Sequence, residues 1–106
     1  MSTPSGDAAP IKSTFAGDPD MQELVEYFVS EVPARVDAIM KSFEGGQLDE
    51  VRSLAHQLKG AGGSYGFPQI TDSARKLEDA LKTDGAVDEI RQGIDELVDY
   101  CNRASL

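Results

Sequence analysis

The chain has no tryptophan, one cysteine, one histidine, and only ten Lys and Arg against nineteen Asp and Glu, a net charge of −9 over 106 residues. Each shortage excludes something. A lone Cys101 leaves no intramolecular disulfide framework and no cysteine-based metal cluster. With a single histidine as well, a zinc site would have to draw most of its ligands from carboxylates, an uncommon arrangement. No apolar run approaches the roughly 18 to 20 residues of a membrane span, and the N-terminus lacks the basic region and apolar core of a secretory leader. The acid surplus repels nucleic acid and anionic membrane surfaces, so a basic or mixed-charge protein surface is the expected partner. There is no P-loop, no glycine-rich nucleotide loop after a strand, and no Ser/His/Asp or Cys/His set, so autonomous catalysis is not expected. These exclusions together point to a reducing cytoplasm and a single domain with one modest core.

What the chain does have is helical periodicity. Residues 1–17 are rich in Ser, Thr, Pro, Gly and Ala and read as a flexible lead-in, with only Ile11 and Phe15 able to pin it to the body. A helical domain is expected over 18–106. Asp18 followed by Pro19 is a helix start, an N-cap and a proline at the first helical position. Met21, Leu24, Val25, Phe28, Val32, Val36, Ile39, Met40 and Phe43 then recur at steps of three and four. Pro33 interrupts this stripe, so the segment is either one kinked helix or two helices. Gly45 and Gly46 end it, and Asp49 and Glu50 suit the positive end of the next helix. That helix carries Leu48, Val51, Leu54, Ala55, Leu58, Ala61 and Tyr65 on one stripe. Gly66 and Pro68 mark a boundary before a stripe of Ile70, Ala74, Leu77 and Leu81. Thr83, Asp84 and Gly85 form a turn before the last stripe, Val87, Ile90, Ile94, Leu97, Val98 and Cys101. The fold class read from this is all-α: an antiparallel up-and-down four-helix bundle with an additional N-terminal helix or a kinked first helix. Phe28, Phe43, Tyr65 and Phe67 read as core, Cys101 as a buried, inert thiol, and the chain as a monomer.

One stretch, AHQLKGAGGSYGF at 55–67, departs from helix-forming practice by placing four glycines in seven residues just after the histidine and lysine. At about 100° per residue, His56 projects about 160° from the centre of the buried stripe and faces solvent. Arg52, Lys59, Gly60 and Gly63 project to the same outward side, whereas Gly62 falls among the buried positions. An outward glycine in a helix interior costs on the order of 1 kcal/mol against alanine, so stability does not account for Gly60 and Gly63. They lower the surface around the imidazole and clear space for another protein. Gly62 reads as close helix packing and Gly66 as the helix end. An exposed imidazole is a competent nucleophile, Lys59 lies one turn on, and Arg52 could flank the other side. A phosphoryl group, whose charge sits on its equatorial oxygens, fits that set. Gln57 and Ser64 could line the docking surface.

The run His56-Gln57-Leu58-Lys59-Gly60, with Ala55 before it and Gly66 ten positions after the histidine, resembles the signature of histidine-containing phosphotransfer (HPt) domains over roughly residues 18–104. The resemblance implies a helical bundle whose His56 accepts a phosphoryl group from a receiver-domain aspartate and hands it to another receiver. It makes Lys59 the residue that steadies the phosphoryl group and Gly60 the small residue that admits the partner. It places Mg²⁺ in the receiver, so that no cofactor or metal is expected here, and makes the chain a carrier rather than a kinase. Several family members hold an amide from the following helix near the histidine. The closest position here holds Glu78, a carboxylate that could accept the ring N–H yet would repel an attached phosphate. The alternative function is an adaptor that docks a receiver or other protein through the same face with no phosphoryl chemistry.

Overall fold

The computed structural model describes residues 9–83 and 85–105. Four helices follow one another: α1 (Pro19–Glu44), α2 (Leu48–Ser64), α3 (Pro68–Lys82) and α4 (Val87–Arg103). Two short strands, β1 (Ile11–Lys12) and β2 (Ala104–Ser105), flank them.

Helix α1 begins where Asp18 caps it, the carboxylate accepting from the Asp20 amide at 2.9 Å, with Pro19 at the first helical position. The first segment is one helix of 26 residues running through Pro33, and no separate N-terminal helix precedes it among the described residues. Of the arrangements expected for this region, the extra helix is therefore corrected. The reason is packing on both sides of the proline. Val25, Phe28 and Val32 before it and Val36 and Ile39 after it share one buried face. Burial of such side chains, about 1.5–3 kcal/mol each, outweighs the backbone hydrogen bond that Pro33 cannot donate.

The helix ends follow from glycine at left-handed positions. Gly46 (φ +73°) lets the Gln47 amide donate to Ser42 O at 2.8 Å and its own amide donate to Phe43 O at 3.0 Å. Gly66 (φ +84°) likewise lets the Phe67 amide reach Gly62 O at 2.7 Å. Both are Schellman closures, in which a residue without Cβ satisfies the carbonyls a helix would leave open.

The core gathers one stripe from each helix, with Phe28, Val51, Ala55, Phe67, Ile70, Ala74 and Leu97 wholly inaccessible. Phe28 stacks on Tyr65 with ring centroids 5.0 Å apart and meets Phe67 at 5.6 Å. Phe43 is only partly buried, beneath the Arg91 guanidinium at 5.3 Å. Cys101 is buried, and that burial pushes its thiol up to about 12. No helix among the described residues is long and apolar enough to cross a membrane.

The lead-in expected over 1–17 is held to the body in its second half, at Ile11 and Phe15 as anticipated and by backbone bonds that were not; residues 1–8, like Asp84 of the expected turn and Leu106, lie outside the described residues. Ile11 is buried in the core, and β1 pairs in parallel with β2, joining the two ends of the domain. Ser13, also buried, donates from its hydroxyl to Tyr65 O at 2.6 Å, and the Thr14 amide donates to Gly66 O at 2.8 Å. The segment is thus tied over the end of α2, where the carbonyls exposed by the Gly66 turn give its backbone somewhere to bond.

Candidate functional site

The site is built on the facing surfaces of α2 and α3. Three residues of α2 project outward at helical spacing, Arg52, His56 and Lys59, while Val51, Ala55 and Leu58 hold the opposite face in the core. His56 is exposed over 66% of its side chain, so the ring is reachable from solvent as its place on the helix requires.

Glu78 rises from α3 beneath it. Its carboxylate takes a hydrogen bond from His56 Nδ1 on Oε2 at 2.9 Å and one from Lys59 Nζ on Oε1 at 2.8 Å. Lys82, one turn further along α3, approaches Oε2 at 3.6 Å. Only 6% of the Glu78 side chain is accessible, because these partners cover it. The donated Lys59 hydrogen bond is the main cause holding the Glu78 carboxyl down at about 2 against an ordinary 4.5; burial opposes the shift, and the bond from His56 adds to it.

This geometry decides the tautomer of His56. An ionised carboxylate accepts hydrogen bonds and donates none, so the proton of the neutral ring must sit on Nδ1. Nε2, on the other side of the ring, then keeps its lone pair. A phosphate on Nε2 would lie across the ring from Glu78, which answers the repulsion anticipated from the sequence.

The glycines divide as the helical projection implies. A Cβ at Gly60 would meet nothing within 4 Å, and one at Gly63 would touch only Thr71 Oγ1, at 3.6 Å. Gly63 also edges a shallow recess of about 340 Å³ whose other walls include Thr14, Phe67 and Thr71. A Cβ at Gly62, by contrast, would fall 2.6 Å from Thr71 Oγ1 and 2.9 Å from Thr71 N, so this glycine sets how closely α2 and α3 approach. The Thr71 hydroxyl donates across that contact to Lys59 O at 2.9 Å.

A family model, the Hpt domain, matches residues 23–105, which contain all of this site. The chain belongs to the Hpt domain family. Comparisons with curated proteins and with solved structures gave no match. Hpt domains are phosphotransfer carriers of two-component signalling and not kinases, so the exposed histidine of this Hpt domain has a family chemistry to which its geometry can be compared.

Of the residues singled out in the sequence, His56 and Lys59 come together on Glu78. Lys59 is therefore already engaged by the carboxylate, with two of its three N–H donors left over. Arg52 and Gln57 are exposed and stand apart, and Arg52 makes no ion pair among the described residues. Lys82 was not singled out by sequence reasoning; the available signal was its position four residues after Glu78 on the same helix. Among the described residues no group of three or more His, Cys, Asp or Glu side chains could hold a metal ion.

Proposed function

We propose that this Hpt domain is a phosphorelay carrier. Nε2 of His56 attacks the phosphorus of a receiver-domain aspartyl phosphate and later surrenders the group to the aspartate of another receiver. The observation that carries the reading is the Glu78 hydrogen bond to Nδ1 of an otherwise exposed ring, which presents Nε2 as a neutral nucleophile. Lys59 stands one turn away with two free donors for the phosphoryl oxygens, and Arg52, Gln57, Gly60 and Gly63 form the face on which the receiver docks. Receiver and Mg²⁺ arrive together, because the metal belongs to the receiver site. The carrier acts as a cytoplasmic monomer without kinase activity, its domain spanning 18–106 with the four helices running alternately up and down.

The test is phosphotransfer from phosphorylated receiver domains in the presence of Mg²⁺, following acid-labile, base-stable label on this protein. Wild type should take label and His56→Gln should take none while keeping its helical circular dichroism, since an outward side chain contributes little to the core. A wild type that binds receivers and never takes label would refute the carrier reading and leave the adaptor.

A further inference from the structure

We propose that Glu78 keeps the proton on His56 Nδ1 in the phosphorylated carrier as well as in the free one, so that the phosphoryl group enters and leaves Nε2 without any proton transfer. The inference rests on the carrier reading and concerns the bond chemistry of both transfer steps.

In the loading step the Nε2 lone pair forms the N–P bond while the P–O bond to the receiver aspartate breaks, its electron pair returning to the carboxylate. The ring, already holding Nδ1–H, thereby becomes cationic. In the unloading step the carboxylate of the next receiver forms a P–O bond and the N–P electron pair returns to Nε2. If Nδ1 still carries its proton, the departing group is a neutral imidazole in the same tautomer that began the cycle. If Nδ1 has lost it, the departing group is an imidazolate anion, a far poorer leaving group.

Glu78 is placed to hold that proton. Its Oε2 lies 2.9 Å from Nδ1, and a charge-assisted bond to a cationic ring is roughly twice as strong as a neutral one. The carboxylate is not free to take the proton itself, because Lys59 at 2.8 Å and Lys82 at 3.6 Å favour its ionised form. The charged groups that reach this corner are Glu78 and Lys82 from α3 and Lys59 from α2; α1 and α4 add no ion-pair partner to it among the described residues. Glu78 is thus a positioning residue, acting through the ring and not on the phosphoryl group.

The experiment loads ¹⁵N-histidine-labelled protein with phosphoramidate, a small phosphoryl donor, and reads the protonation of both ring nitrogens by two-bond ¹H–¹⁵N NMR across a pH titration. Wild type should retain Nδ1–H in the loaded form at about pH 8, whereas Glu78→Gln should have lost it. Transfer from Glu78→Gln to a receiver should be about tenfold slower at that pH and should recover as the pH is lowered. Glu78→Asp, which restores the charge, should recover part of the rate. A loaded wild type without Nδ1–H at pH 8 overturns the proposal, as does a Glu78→Gln protein with the wild-type spectrum and pH–rate profile. The wild-type titration can overturn the proposal even if Glu78→Gln fails to fold, and the charge-retaining Glu78→Asp then carries the test of Glu78 itself. Chemical loading needs no receiver, so this result stands apart from failure of the carrier reading, which would show as no label from any receiver.

Discussion

Replacing Gly60 by alanine should make the protein more stable and a poorer phosphoryl acceptor. A Cβ at this position meets no heavy atom within 4 Å, so the methyl group has nothing to displace. Glycine to alanine in a helix interior is worth about 0.8–1.0 kcal/mol, and for a domain of about 100 residues that amounts to a rise in Tm of about 4–8 °C. Gly62→Ala, two residues on, should do the reverse. Its Cβ would stand 2.9 Å from Thr71 N and 3.1 Å from Phe67 O, backbone atoms that cannot rotate away. Overpacking of this kind costs about 1–3 kcal/mol, more than the helix preference for alanine returns. Urea denaturation of the two variants measures both signs. Transfer from a phosphorylated receiver measures the other half: Gly60→Ala should fall about tenfold, equivalent to about 1.4 kcal/mol of lost docking, and Gly60→Leu further. A Gly60→Leu protein that accepts label at the wild-type rate would refute the reasoning, because the clearing beside His56 would then serve no approach.

Two further outcomes follow from charge and from the chain ends. Glu78 is held near 2 in the folded protein against an ordinary 4.5, so its ionised form stabilises the fold fully above about pH 4.5, and that contribution is lost as pH falls toward 2. The displacement sets a ceiling of about 3 kcal/mol, which water around the exposed His56 and Lys82 partners lowers to about 1–2 kcal/mol. Urea midpoints between pH 6 and 2.5 should therefore fall less steeply in Glu78→Gln than in wild type, and parallel curves would count against the clamp. Ile11→Ala should destabilise by about 2–3 kcal/mol, the low end for deleting a buried isoleucine side chain. A loss below about 0.5 kcal/mol in the same denaturation assay would mean that β1 rests on the body without holding it.

The helices were legible because each has a complete set of local signals. Asp18 with Pro19 starts α1, Gly46 and Gly66 close α1 and α2, and stripes at steps of three and four lie between. His56 was legible as exposed for the same reason, since the phase of a helix follows from its buried face. What stayed hidden depends on distance in sequence. The β1–β2 pair is two residues long in each strand, too short for any alternation to appear, and its partners lie at opposite ends of the chain. Pro33 left one kinked helix and two helices both open, because local sequence shows the missing donor but not the tertiary burial that carries α1 through it. The role of Glu78 turned on which ring nitrogen it meets, a question that only the register of α2 against α3 can answer.

That register is where the glycine run acquires its second meaning. His56 and Glu78 are 22 residues apart in sequence and 2.9 Å apart in the fold, and the two helices that bring them together are packed at Gly62 with no room for a Cβ. Thr71 fills the space that a side chain at 62 would need, and its hydroxyl bonds to Lys59 O, pinning α2 at the turn that also delivers the Lys59 ammonium to Glu78. A Cβ at 62 would push α3 away from α2 at this contact, and a shift of α3 would lengthen the His56–Glu78 bond along with the interface. A bond stretched beyond about 3.2 Å loses its hold on the ring tautomer. The inward glycine thus bears on the His56–Glu78 contact that fixes the ring tautomer, and the outward glycines, Gly60 and Gly63, leave the helix surface beside the ring low.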